Sequence, residues 1–456
     1  MTTTKYSHAF LVGNFNGNIT PEQLDPNIWK KEIISPNGEV KRYERDKGYN
    51  GLCTLYYKAH LDAMLEGCGI DRPDFLQSVH HYIHDLAVQK CESDTYNGIT
   101  LTLKKGKYPD LIQFEYSFTL CKLHLFFFPL SIVLFAIEID DKGNELDNLT
   151  AAHFSLMGFW DADCFGNQKL LKAMRPLTEK LSKSSSGKLT KDGNKLKIFQ
   201  TIKIDCDRID DDLLYELATS SPIGCVKKEY RPDQKPSESY FKMIMDNNTI
   251  STFDNWEGLA LVDSFTMLGK EESFYEDDCN FLYFPLIYMR SLFEKTFCFS
   301  RNNAYREDKA DLESLPWEIE QMEKYYFYEN ISYNFQPNLI YKAMAKGLGI
   351  KEEREELARQ VKESAKKEAE EKKATESKKF DHILSYAAIF ALFSVVWDLF
   401  SLLNVILGND KDGNPIMACS FFVAAILIIV ALQYMINKNM QFTELFKKLF
   451  KNNEPN

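Results

Sequence analysis

The chain has 456 residues and more acid than base, 66 Asp and Glu against 55 Lys and Arg, for a formal net charge of −11. That balance argues against nucleic acid as a bulk partner, because phosphate backbones are bound by basic surface; a small nucleotide in a local pocket stays compatible with it. The ten Cys include no Cys-x-x-Cys pair, which removes the spacing of zinc ribbons and dithiol redox sites and fits free thiols in a reducing compartment.

Met1–His8 lacks a signal-peptide pattern, so the large N-terminal body is expected to stay on the cytoplasmic side. Leu52–Leu65 and Asp74–Gln89 have helical spacing, with Leu55, Ala59 and Leu65 apolar in the first and Phe75, Val79, Ile83 and Leu86 in the second. On a helix, His80 and His84 would stand one turn apart, as metal ligands often do. No third ligand can be assigned to them and no His-Glu-x-x-His occurs, so a surface helical histidine cluster is the plainer reading. Leu111–Asp140, rich in Phe, Ile, Leu and Val and interrupted by Pro129, reads as paired core strands. Its apolar part, Leu125–Ile137, has 13 residues and is too short to span a bilayer. Ser182–Lys195 and Lys227–Ser239 lack an apolar period and read as polar loops. Ser184–Lys188 holds a Gly-Lys without the frame of a phosphate-binding P-loop. Lys195–Ile204 and Gly258–Phe265 add strands. Residues 1–310 therefore read as a cytoplasmic α/β body without a hydrolase or dinucleotide signature, and no enzyme activity is expected.

The texture changes at residues 311–382. Leu312–Phe335 and Leu339–Leu348 place apolar residues at helical intervals, and Lys351–Lys379 carries 19 charged residues in 29, ten basic and nine acidic. Pairs such as Glu363 with Lys367 and Glu368 with Lys372 support a solvated helix. An apolar thread, Leu357, Val361, Ala365 and Ala369, offers one narrow contact face. No Pro or Gly interrupts Lys351 to Leu407, so this helix is expected to run on as a stalk of roughly 85 Å.

The stalk leads into residues 383–436. Ile383–Leu407 is 25 residues with one charge, Asp398, and Ile416–Ile436 is 21 residues with none; each is long enough to cross a bilayer as a helix. The polar connector 408–415, with its glycines and Pro415, reads as a short external turn. Lysines flank both outer ends, Lys372, Lys373, Lys378 and Lys379 before the first stretch and Lys438, Lys447, Lys448 and Lys451 in the basic tail 437–456. The positive-inside rule then puts both termini in the cytoplasm, in a multi-pass protein of the inner (plasma) membrane. Ser394, Asp398 and Ser401 recur at helical spacing and Asn404 continues their line. A carboxylate in hydrocarbon needs water or a partner, and one hairpin cannot supply it, so Asp398 implies a homo-oligomer. The stripe either lines an ion path or joins helices by a protonated carboxyl.

An α/β domain, a long charged helix and a terminal two-span hairpin together resemble the CorA-like metal ion transporters. Tyr326–Ser332 and Asn338–Met344 look like the region before that family's stalk helix. The resemblance covers residues 311–436. It implies a funnel-shaped homo-oligomer, usually a pentamer, whose first span lines a path for magnesium or another divalent cation. The family's Gly-Met-Asn signature is altered here: Leu407-Gly408-Asn409-Asp410 keeps Gly and Asn without the Met between them. One residue fewer rotates the Asn by about 100° on a helix, which argues against magnesium selectivity. Gly408, Asn409 and Asp410 nevertheless stand where the resemblance puts the mouth of the path. CorA-like proteins with an eroded signature also occur as membrane effectors of type III CRISPR antiviral defence. That resemblance implies gating by an adenylate second messenger, such as an S-adenosylmethionine–AMP conjugate, bound by the cytoplasmic domain. Two readings follow, a ligand-gated membrane effector and a divalent cation transporter, with a membrane-anchored scaffold behind them. No ligand-binding residue can be assigned from the sequence.

Overall fold

The computed structural model describes residues 3–16, 19–27, 29–32, 80–86, 99–105, 112–158, 188–190, 196–227, 235–270, 284–307, 314–327, 330–331, 335–406 and 423. They divide between two compact units, Met1–Val361 and Lys362–Asn456.

The first unit is a mixed α/β body on one sheet. Eleven strands are present among the described residues: β1 (Tyr6–Asn16), β2 (Lys30–Glu32), β3 (His80–Asp85), β4 (Ile99–Lys105), β5 (Ile112–Phe128), β6 (Ile132–Asp140), β7 (Lys188–Thr190), β8 (Lys197–Ile204), β9 (Thr249–Phe253), β10 (Trp256–Ala260) and β11 (Ser264–Lys270). The order across the sheet is β2-β3-β5-β6-β1-β8-β11-β10-β9, with β4 on β5 and β7 on β1. Neighbours are antiparallel except β8 and β11, which pair in parallel from Ser264 opposite Ile198 to Lys270 opposite Ile204.

Helices cover both faces. One face packs Leu11, Leu123, Phe135 and Ile202 against α1 (Leu146–Met157), α2 (Asp211–Ala218) and α3 (Glu238–Asn248). The other packs Phe10, Phe126, Leu134 and Phe265 against α4 (Phe284–Arg306), α5 (Leu315–Tyr325), α6 (Phe335–Gly347) and the start of α7 (Ile350–Ile406). Two covered faces explain why the central strands are apolar at nearly every position rather than at alternate ones. β5 shows both regimes: from Phe114 to Leu120 burial alternates, and from Leu123 to Phe128 every side chain is buried.

The hairpin expected around Pro129 is present, β5 pairing with β6 from Thr119 opposite Asp140 to Phe128 opposite Ile132. Its turn holds Leu130 and Ser131 at φ values of +60° and +59°, the left-handed backbone that matches the twist of a tight hairpin. Lys195–Ile204 forms β8 from Lys197 onward. Gly258–Phe265 is not one strand; it crosses from β10 through Leu261–Asp263 into β11. Ser182–Lys195, read as a loop, contributes the short strand β7.

A larger correction concerns Asp74–Gln89. Its described part is the strand β3, not a helix, antiparallel to β5 with His81 opposite Phe126 and Ile83 opposite His124. The apolar positions Ile83 and Leu86 fit a helical period, but a strand covered on both faces buries residues of either parity, and tertiary pairing decided the outcome. His81 and His84 are accordingly buried, so no surface helical cluster forms here. Leu52–Leu65 lies outside the described residues.

Within the described part of Leu312–Phe335 the helix α5 covers Leu315–Tyr325 and is shorter than the spacing predicts; residues 339–347 lie in α6, and the charged segment is the first part of α7, unbroken for 57 residues. The elbow between α6 and α7 is built on glycines. Gly347 lies so close to β10 that a Cβ there would stand 2.6 Å from the Ala260 carbonyl, and Gly349 takes a left-handed φ of +65°.

Candidate functional site

Two features of the molecule gather functional groups. The first is the root of α7. Leu357 is buried in the core beneath α4 and α6, and Val361 packs against it; Ala365 and Ala369, the rest of the apolar thread, are exposed. Charges clamp the same turns. Glu353 accepts from Lys295 Nζ at 3.0 Å and from Asn302 Nδ2 at 2.7 Å, both on α4. Arg354 forks onto the Glu323 carboxylate of α5 at 2.7 and 2.6 Å and lies over the Phe327 ring at 4.7 Å. Behind them an ion pair is buried whole. Arg290 meets Glu294 at 3.0 Å and donates to the Tyr326 carbonyl, and the Tyr341 hydroxyl donates to the other Glu294 oxygen at 2.7 Å. Burial pushes the Glu294 carboxyl above its ordinary value against the pull of Arg290 and Tyr341.

Farther along α7 lies the polar stripe. Ser394, Asp398 and Ser401 are exposed in the single chain. At 100° per residue they fall within about 60° of arc, with position 404 about 60° beyond that sector on the Ser401 side. Phe380, Ile383, Leu384, Tyr386, Phe390, Val395 and Trp397 are also exposed, Phe390 at 74%. Among the described residues no helix is long and apolar enough to cross a membrane. Gly408, Asn409 and Asp410, the connector 408–415, the tail 437–456 and all of the second apolar stretch 416–436 except Val423 lie outside those residues.

The second feature is a histidine–glutamate cluster on the sheet, which the sequence reading missed. Glu138 on β6 accepts from His8 of β1 at 3.1 Å through one oxygen and from His124 of β5 at 2.7 Å through the other. His124 Nδ1 is in turn 3.0 Å from His81 Nε2 on β3. Lys122 Nζ is 3.7 Å from Glu138, and Cys121 comes near on β5. Burial pushes the Glu138 carboxyl up, but hydrogen bonds from His124 and His8 outweigh it and hold it well below the usual carboxylate range. The Cys121 thiol is pushed up to about 12 by burial, with the charges of Glu138 and Asp140 adding to it. The four strands supply these groups from positions far apart in sequence, so no local motif announces them. One signal was present: Glu138 and His124 are polar residues inside apolar strands covered on both faces, and such residues occur paired.

A further buried network joins Tyr116, Asp141, His153 and Gln200. Asp141 accepts from the Tyr116 hydroxyl at 2.7 Å and from His153 at 2.6 Å, and His153 meets Gln200 at 2.7 Å. Gln200 donates onward to the Leu217 carbonyl and Thr266. Its members are at most 2% exposed, so they brace β5, β8, α1 and α2 rather than meet a substrate. Set beside protein-family models, curated proteins and solved structures, the chain finds no match in any of the three.

Proposed function

We infer that this chain is a membrane-bound homo-oligomeric effector of CorA-like build, in which the α/β body controls an ion path lined by one face of α7. The observation that carries this reading is the continuity of α7. A single helix begins among buried core residues, Ile350 and Leu357, and continues to the stripe of Ser394, Asp398 and Ser401 without a break. A helix transmits displacement along its axis, so a change in the clamp of Glu353 and Arg354 biases the far end. Apolar side chains such as Phe390 and Trp397 need lipid or a partner helix to cover them, and the 25-residue apolar stretch from Ile383 has the length for a bilayer. Asp398 calls for assembly, because neighbouring subunits supply the polar surroundings that a lone hairpin lacks.

The control step is a two-state equilibrium biased by whatever binds the body more tightly in one state. An adenylate second messenger is the ligand class this reading takes, in an antiviral membrane response. Cation flux through purified protein in liposomes tests it. A silent membrane that conducts only when an adenylate messenger is added supports the effector. Magnesium flux with no messenger replaces it with the transporter, in which Asn409 serves despite its shifted place. Asp398→Asn is expected to lower cation flux at least tenfold while the oligomer persists by light scattering. Loss of the oligomer with unchanged flux per assembly would make Asp398 a helix-joining residue instead.

A further inference from the structure

The cluster on the sheet holds a donor set that the ion path does not use. Among the described residues, His8, Cys121 and Glu138 each offer one ligand atom, and these atoms lie within 4.8 Å of one another. They comprise an imidazole nitrogen, a sulfur and a carboxylate oxygen. Zinc takes such mixed sets in a tetrahedron with bonds of about 2.0–2.3 Å. Magnesium, which prefers a shell of six oxygens, does not suit them.

Two features of the strands separate this arrangement from chance proximity. The register of β5 against β6 slips between Leu120 and Lys122, with Leu120 opposite Ile139 and Lys122 opposite Glu138. Cys121 is the extra residue of that bulge, and a bulge re-aims side chains that regular alternation would send elsewhere. Glu138 is also held from behind. His124 binds its second oxygen at 2.7 Å and is itself met by His81 at 3.0 Å, the kind of outer support that fixes the direction of a metal-binding carboxylate.

We propose that His8, Cys121 and Glu138 bind one divalent cation of the zinc class, with His124 and His81 orienting Glu138 and a fourth position left for water or an exogenous ligand. Carboxylate and thiolate together neutralise the ion's two charges. Binding releases the Cys121 thiol proton to solvent as the sulfur–metal bond forms. His8 and Glu138 keep side-chain exposures of 15% and 12%, which gives an ion a way in from solvent.

Cobalt titration of the purified full chain tests this. Wild-type protein is expected to develop a thiolate-to-cobalt charge-transfer band at one equivalent per chain, displaced by zinc and untouched by a large excess of magnesium. Cys121→Ser is expected to abolish the band with the far-ultraviolet dichroism preserved. His8→Gln is expected to weaken cobalt binding at least tenfold, and Cys206→Ser to leave it unchanged. A wild-type chain with no band overturns the proposal whatever the variants do. So does a band that survives in folded Cys121→Ser, or one lost in Cys206→Ser. Should Cys121→Ser not fold, full-strength binding by His8→Gln is the overturning result.

Discussion

Asp141 concentrates the cost of burying charge in a single side chain. It is 1% exposed and its carboxylate accepts from Tyr116 and His153. Burial alone would raise its carboxyl, but the charge and hydrogen bond of His153, with the Tyr116 hydrogen bond, hold it below the ordinary value of 3.8. A folded-state value below the unfolded one means that the stabilisation is fully present above about pH 4 and is lost as pH falls through the folded value. Asp141→Asn keeps one oxygen for the two donors but removes the negative charge that faces His153. It is expected to lower the stability of the body by about 3 kcal/mol at neutral pH. Urea midpoints measured from pH 7 down to pH 3 should show the gap between wild type and variant narrowing in acid, where the native carboxyl protonates. A gap of constant size would mean that shape rather than charge sets the cost.

Among the elements, the elbow between α6 and α7 is the tightest fit. Gly347 leaves no room for a methyl against the Ala260 backbone, and backbone cannot swing aside as a long side chain can. Gly347→Ala is expected to destabilise the body by about 1–3 kcal/mol, read as a lower thermal midpoint. A midpoint equal to wild type would show that α6 can lift from β10 without loss. How far the elements were legible follows from the same physics. The β5–β6 hairpin could be read because Pro129 punctuates a long run of aromatic and branched residues. α5, α6 and α7 could be read because amphipathic and charged helices keep their period when no partner overrides it. β3 could not, because a strand buried on both faces carries no alternation and Ile83 and Leu86 imitate a helix. Of the candidate sites, the stripe on α7 needed only local spacing and was visible in the chain. The Glu138 cluster needed the Cys121 bulge, a detail of hairpin register, and the pairing of β1 with β6, which joins His8 to Glu138 across 130 residues and leaves no local trace. His81 joined it from a segment read as the wrong element.

At the scale of the molecule, the proposed effector needs the axis of α7, whose 57 residues run unbroken from Ile350 to Ile406, to carry control from the clamp to the stripe. A proline inside the solvated part removes a hydrogen bond and clashes with the preceding turn, costing about 3 kcal/mol of helix. Ala369 is exposed and lies past the clamp of Glu353 and Arg354. Ala369→Pro is therefore expected to leave the urea midpoint of the body within about 0.5 kcal/mol of wild type. The same change should abolish any response of liposome flux to the messenger. A preserved response would show that control reaches the path by another route.

The middle position of β1 carries a consequence for how the chain comes into being. This strand is made well before its flanking partners, β6, with His8 opposite Asp140, and β8, with Tyr6 opposite Lys203, and before the short β7 that also pairs with it. At about 5–20 residues per second, synthesis needs on the order of ten seconds to deliver the first partner and more for the second. Throughout that interval Ala9, Phe10, Leu11 and Val12, all destined for the interior, have both flanks unpaired and offer a template for the wrong strand. Closure of the sheet must therefore be slow, as it is for folds built on distant pairings. Because β11 ends at Lys270 and α7 begins at Ile350, the sheet can still be complete before the apolar end of α7 emerges. Unpaired β1 is therefore the segment for which shielding by chaperones matters most during synthesis.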